Sequence, residues 1–182
     1  RNLVFVPDDV DLTHAALVEP LAVGWHAVRL TIDALHPSMD RRALVIGGGA
    51  IGVAVALALR AFGIDDVTIV EPNDARRTFL VETCDFGVVA NATASYPMII
   101  DAVGYATTRV VGSELIEPGG VITHVGLGDG AGGLDIRRMT LQEVTFIGTY
   151  TYSAQDFIDC AYALFSGDLG PINWIQLRPL SE

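Results

Sequence analysis

The sequence predicts an α/β protein built on a doubly wound parallel sheet, a three-layer sandwich with helices on both faces. Three observations carry this. From Arg42 onward, apolar runs of four to six residues alternate with amphipathic helical stretches, the pattern of βαβ units around a buried parallel sheet. The first run, Ala43 to Ile46, passes directly into Gly47-x-Gly49-x-x-Gly52 and then into an apolar helix. Finally, 51% of the 182 residues are hydrophobic and only 18% are charged, enough apolar material for one compact core.

Each element follows in order. Residues 1–10 hold a short extended piece ending at Pro7, and Asp11 or Thr13 caps a helical segment through Leu17. Pro20 starts a longer helix, Leu21 to about Leu35, closed by Pro37, and residues 37–42 are a polar linker. Then come strand Ala43–Ile46, helix Ala50–Phe62, turn Gly63–Asp66, strand Val67–Val70 and helix Asp74–Thr83. Strand Phe86–Val89 is followed by a polar link through Pro97, strand Met98–Ala102, helix Thr107–Ile116 and strand Gly120–Val125. A glycine-rich loop spans Gly126–Gly133, and strand Val144–Gly148, helix Ser153–Ser166 and strand Trp174–Leu177 complete the chain. The apolar strand at 144–148 is expected at a sheet edge, where it invites pairing with a second copy.

The glycine stretch points to a dinucleotide. Gly47 permits the tight turn, Gly49 lets the backbone approach a pyrophosphate, and Gly52 lets the helix pack closely on the sheet. The free N–H groups and positive dipole end of the new helix face the phosphates. Glu71 stands nineteen residues after Gly52, at the end of the second strand. There it accepts hydrogen bonds from both hydroxyls of an adenosine ribose and repels a 2′-phosphate, so NAD is favoured over NADP. The uncharged run from Ala43 to Leu59 has 17 residues, short of the roughly 20 that span a membrane.

Composition closes off other classes. The net charge of −11 opposes nucleic acid as a partner. All 11 basic residues are arginine, so no Schiff-base or general-base lysine is available within this chain. Cys84 and Cys160, 76 residues apart, suggest neither a zinc knuckle nor a disulfide framework, and read as two buried reduced thiols of a cytoplasmic protein. His26 is expected to pack within its helix, and His14, His36 and His124 show no ligand spacing. The sequence opens on Arg1 and stops at Glu182 without a turn or cap, so both ends are expected to continue into a longer chain.

Four pieces in a fixed order carry a resemblance. They are Val18-Glu-Pro-Leu-Ala-Val-Gly-Trp-His-Ala-Val28; Gly47 to Gly52 with Glu71-Pro72; Asp101-Ala-Val-Gly104; and Gly119-Gly-Val-Ile-Thr-His-Val-Gly-Leu127. Phe146 to Tyr150 followed by Ser153 to Phe157 fits as well. The chain resembles the coenzyme domain of the medium-chain dehydrogenase/reductase family, the zinc alcohol and polyol dehydrogenases. The resemblance implies residues 1–36 as a remnant of the catalytic-domain boundary with its linking helix. It makes 37–172 the Rossmann domain and 173–182 the start of the return to the catalytic domain.

By the same resemblance, Ala50 and Ile51 would donate to the pyrophosphate or pack on the nicotinamide, and Arg76 would reach the adenine ribose. Ala102 and Val103 would lie near the adenosine and the nicotinamide ribose, and Val125, Gly126 and Leu127 would touch the nicotinamide through their backbones. On the residues alone, Asp101 and Gly104 also read as an ordinary strand-to-loop turn, and Arg76 and Arg77 as a solvated first helical turn. Glu19 before Pro20 reads by itself as a helix N-terminal acid favoured by the dipole. The resemblance makes it a neighbour of the catalytic zinc.

Two departures stand out. The family's zinc ligands and proton relay lie in an N-terminal domain absent from this sequence, and the link Ala90 to Pro97 is too short for the helix usually found there. The expected function is the NAD-binding part of a zinc-type dehydrogenase moving hydride between NAD and a secondary alcohol or polyol, inactive without the rest. In the intact enzyme zinc would polarise the alcohol oxygen. The expected assembly is a homodimer through 144–148. A zinc-independent NAD(P)H reductase of the same superfamily, or a non-catalytic NAD-sensing module, are the alternatives.

Overall fold

The structure, a computed structural model, describes residues 3–172, 174–179 and 181. Six strands form one sheet: β1 (Arg42–Ile46), β2 (Asp66–Val70), β3 (Gly87–Val89), β4 (Tyr96–Asp101), β5 (Ile116–His124) and β6 (Thr145–Gly148). Their order is β3-β2-β1-β4-β5-β6, with every neighbouring pair parallel. The helices are α1 (Leu12–Ala15), α2 (Val18–Ala34), α3 (Ala50–Ala61), α4 (Asp74–Glu82), α5 (Ala106–Leu115), α6 (Ile136–Leu141) and α7 (Ala154–Ser166).

Alternation along each strand divides the core in two. Ala43 and Val45 of β1, Val67 and Ile69 of β2, and Met98 and Ile100 of β4 face one side, where they pack with α2, α3, α7 and Leu80 of α4. Leu44, Ile46, Ile99 and Ile122 face the other, under Met139 of α6 and the flank of α5 at Val111 and Leu115. Strands are added outward in one direction from β1 to β3 and in the other from β4 to β6, which sends α3 and α5 to opposite faces, as right-handed crossovers require. The helix α3 is apolar all round because Gly52 through Leu59 are buried, between the sheet and α2.

Polar groups on the first side are paired. Thr31 of α2 meets Thr123 of β5, Oγ1 to Oγ1, at 2.7 Å. Asp156 of α7 is 1% exposed, accepts from Arg29 Nε at 2.5 Å and lies 2.7 Å from His26 Nδ1, which binds α7 to α2. Burial works to raise this carboxyl, and Arg29, Ser153 and His26 overcome it, holding it far below the ordinary range. His26 is thereby a structural partner inside the α2–α7 packing. Cys84 and Cys160 are free, buried thiols.

The link from β3 to β4 is six residues long. Val89 stands level with Asp101 through Val70 and Ile46, so Tyr96 lies five residues lower and three strands across. That diagonal is about 22 Å, from roughly 3.3 Å per residue and 4.8 Å per strand. Seven extended residue steps reach about 23–25 Å. The link is therefore nearly taut and carries no helix, so Val70 and Thr68 are half-buried and Val89 is exposed on that face.

Several expectations need correcting. The helix expected from Leu21 begins at Val18, because Pro20 sits in its first turn, where a missing N–H has no intrahelical partner to lose. Strand β5 begins at Ile116, not Gly120; its register with β4 shifts between Tyr96 and Met98, around Pro97, which has no N–H to give. A short helix, α6, follows the glycine loop, capped by Asp135 accepting from Arg138 N at 2.9 Å. The expected strand Trp174–Leu177 is not formed. Trp174 lies in a turn, its indole donating to Pro171 O at 2.9 Å and its ring meeting Phe79 edge-on, and residues 175–179 have no regular structure. A strand there has no sheet edge beside it to pair with. Of the opening extended piece, Arg1 and Asn2 lie outside the described residues, as do Asn173, Leu180 and Glu182 of the closing segment. No helix among the described residues is long and apolar enough to cross a membrane.

Candidate functional site

The carboxyl ends of four strands finish in one row. Ile46 is in register with Val70 on one side and Asp101 on the other, and Asp101 with His124. The residue after each strand donates to the last carbonyl of a neighbour: Gly47 N to Val70 O at 2.8 Å, Ala102 N to Ile46 O at 3.0 Å, and Val125 N to Asp101 O at 2.9 Å. Glu71 N continues the row with Val89 O at 3.0 Å. Thus Glu71, Gly47, Ala102 and Val125 line one edge, at the point where the strand order reverses and where open α/β sheets place ligands.

The glycine turn sits at the centre. Gly47 has φ +99°, and a Cβ on it would lie 2.4 Å from Val103 Cγ2. A Cβ on Gly52 would lie 1.8 Å from Gly47 O, so α3 touches the turn that starts it. Around Gly49, by contrast, nothing lies within 4 Å of the Cβ position. No side chain caps α3, whose first-turn N–H groups at Ala50 and Ile51 open towards that space.

Glu71 is 2% exposed and held by three protein donors. It accepts from Gly48 N at 3.0 Å, Asn73 N at 2.8 Å and Arg76 Nη1 at 2.8 Å. Burial pushes this carboxyl up, but the Asn73 N–H, Arg76 and the Gly48 N–H outweigh it and leave it below the ordinary glutamate range. Glu71 therefore fastens the glycine turn to β2, a role that its spacing alone did not reveal. Arg76 is half-exposed and closes over Glu71 as its ion pair.

Beyond the turn, the loops after β4 and β5 are zipped together. Asp101 is 1% exposed; its Oδ1 accepts from Val103 N and Gly104 N, each at 2.9 Å, and its Oδ2 from Thr108 Oγ1 at 2.7 Å. Ala102 and Val103 are half-buried, Val125 is buried, and Leu127 is 78% exposed at the rim.

Glu19 stands apart from this row, at the start of α2, where Tyr152 Oη donates to its Oε1 at 3.2 Å. The two, with Ala154 and Phe157, line a recess of about 370 Å³. Burial, then the Glu19 charge, raises the Tyr152 hydroxyl. Tyr152 is 133 residues from Glu19, and no spacing in the sequence signals the contact. Among the described residues no group of three or more His, Cys, Asp or Glu side chains stands close enough together to hold a metal ion. One carboxylate does not make a zinc site.

These features define a doubly wound Rossmann-type α/β domain with a glycine turn at its switch point. The chain belongs to the zinc-binding dehydrogenase family, whose sequence profile matches residues 50–166. The 2-dehydro-3-deoxy-L-galactonate 5-dehydrogenase of Pseudoalteromonas atlantica is 28% identical over 100% of the chain and 56% of its own length. A D-xylulose reductase of Scheffersomyces stipitis is 30% identical over 85% of the chain and 45% of its own length. The structure of acetophenone reductase from Geotrichum candidum in complex with NAD shares the fold, with TM-score 0.78 and 20% identity over 92% of this chain and 50% of that one. The chain spans about half the length of the curated relatives it matches.

Proposed function

We propose that this chain is the NAD-binding part of a zinc-type dehydrogenase acting on a small secondary alcohol or polyol. The observation that carries the reading is the open space at Gly49, set before the uncapped start of α3 and beside a carboxylate at the end of β2. A pyrophosphate over Gly49 would receive the N–H groups of Ala50 and Ile51, with Gly47 and Gly52 shaping the turn. The adenosine ribose would meet Glu71 and Arg76. The nicotinamide would lie against Val125, Gly126 and Leu127, with Ala102 and Val103 near the adenosine and the nicotinamide ribose. This chain's work is to bind the cofactor and hold its reactive face in position. Relatives named D-xylulose reductase and (R,R)-butanediol dehydrogenase support the substrate class.

Glu19 is proposed as a neighbour of a zinc whose ligands this chain does not carry, with Tyr152 orienting its carboxylate. The protein is proposed to act in the cytoplasm, which suits two buried reduced thiols. It is proposed to form a homodimer through β6, an edge strand whose Phe146 is 39% exposed. Light scattering at rising concentration is expected to show twice the chain mass; a persistent monomer would count against that pairing.

Fluorescence titration with NADH and NADPH, with Glu71→Ala in parallel, tests the cofactor reading. NADH is expected to bind more tightly. In the variant Arg76 loses its partner and becomes free to meet a 2′-phosphate, so the preference should narrow or reverse. Binding of neither nucleotide would overturn the reading, and a wild-type preference for NADPH would point to the zinc-independent reductase instead.

A further inference from the structure

We propose that Arg109 is a positioning residue that sets the nicotinamide end of the cofactor groove, an inference that rests on the cofactor reading above. Arg109 stands in the first turn and a half of α5 and is 7% exposed. A guanidinium withdrawn from water is costly unless its donors are met.

Here they are met by two different loops. Nη1 donates to Gly104 O at 3.0 Å, in the loop after β4. Nε donates to Gly132 O at 2.6 Å and Nη2 to Ala131 O at 2.7 Å, in the loop after β5. Nη1 also reaches Asp129 O at 3.3 Å, and Nη2 pairs with the Asp129 carboxylate. Asp129 returns to the first loop, accepting from Ala106 N at 2.9 Å and donating its own N–H to Gly104 O at 2.9 Å.

The loop after β5 needs such a clamp. Between Gly126 and Gly133 it holds five glycines, whose backbone freedom would otherwise disperse it. Leu127 at its start is too exposed to be fixed by packing. What holds it is contact with the neighbouring loop: a Cβ on Gly104 would lie 2.1 Å from Gly126 O, and Gly128 N donates to Val103 O at 3.1 Å. Arg109 bridges these two loops. Val103, assigned to the ribose, and Val125 to Leu127, assigned to the nicotinamide, are therefore placed by the bridge that Arg109 makes between their loops. A planar fork with five donors suits this task, and lysine, a point charge with one short reach, does not.

The experiment compares wild type with Arg109→Lys, using NADH and ADP-ribose, which shares the adenosine and pyrophosphate but lacks the nicotinamide. Melting temperature is recorded for each. Arg109→Lys is expected to weaken NADH by roughly tenfold and to lower the enhancement of nicotinamide emission, while ADP-ribose binding stays within about twofold. Parallel loss of both ligands together with a lowered melting temperature would mean a purely structural arginine and overturn the proposal. So would unchanged binding of both. If wild type bound neither ligand, the cofactor reading itself would fall, and this inference with it; if wild type bound both and the variant matched it, only this inference would fall.

Discussion

Two glycines of the turn have opposite surroundings, and replacing each by alanine separates a folding role from a binding role. In Gly52→Ala the new methyl would lie 1.8 Å from Gly47 O and 2.9 Å from Gly47 C. Both are main-chain atoms fixed between β1 and α3, so they cannot swing aside as a side-chain tip would. Overpacking of a filled core costs about 1–3 kcal/mol, and an obstruction by backbone belongs at the upper end, about 3 kcal/mol. In a domain of this size about 1 kcal/mol lowers the melting temperature by roughly 2–4 °C, so Gly52→Ala should melt about 6–12 °C below wild type. In Gly49→Ala the methyl meets nothing within 4 Å, and φ −78°, ψ −171° is open to any residue. Its stability should stay within about 1 kcal/mol of wild type. The same methyl fills the space assigned to the pyrophosphate, so NADH should bind at least about tenfold more weakly, roughly 1.4 kcal/mol. Urea unfolding followed by circular dichroism, with NADH titration of each variant, gives both quantities. Wild-type affinity in Gly49→Ala would refute the phosphate approach, and wild-type stability in Gly52→Ala would refute the contact between helix and turn.

Two other groups give independent checks. The Asp156 carboxyl is depressed in the fold, so the stability it contributes is present above its ordinary value near pH 4 and is lost as pH falls towards the folded value. Asp156→Asn should cost about 2–3 kcal/mol at pH 7, since it leaves Arg29 and His26 facing a neutral group. The variant should also lose less stability than wild type below pH 4; equal acid slopes would count against the assignment. Burial, with the Asp156 charge adding to it, pushes the Cys160 thiol up to about 12, so alkylation at pH 8 should spare it in the native protein and reach it in urea. Rapid native labelling would show that α7 opens.

The sequence made the sheet legible because its strands are apolar on both faces. Runs such as Ala43–Ile46 and Met98–Ile100 stand out without reference to a partner, and the glycine spacing locates the strand-to-helix turn on its own. What stayed hidden depended on meetings far apart in the chain. The six residues of α6 are too few to show a helical period, and only the burial of Met139 makes them cohere. The run Trp174–Leu177 has strand-like residues, yet its indole is used to cover Phe79. Glu71 was legible as an acid at the right distance. That its oxygens would be occupied by Gly48, Asn73 and Arg76 was not, because a carboxylate's partners are set by the turn it closes. Arg109 had no motif at all: most of its acceptors lie in a loop 20 to 23 residues away.

The short link between β3 and β4 shows which part of this fold the site depends on. Six residues suffice to carry the chain diagonally across the sheet, so a helix there is not needed for strand order. The order is enforced instead by β4, whose six residues are all buried and which therefore must lie inside the sheet, between β1 and β5. The consequence falls on one face: Thr68, Val70 and Val89 keep the exposure that a covering helix would remove. It does not reach the carboxyl edge. Gly47, Ala102 and Val125 are placed by the β2–β1, β1–β4 and β4–β5 registers, and each is tied by a main-chain hydrogen bond within that row. A trimmed crossover thus weakens cover over β2 and β3 while leaving the centre of the proposed cofactor edge unchanged: the link departs from the end of β3, beyond the Glu71–Val89 hydrogen bond, and Gly47, Ala102 and Val125 are held by the registers of the four strands beside it.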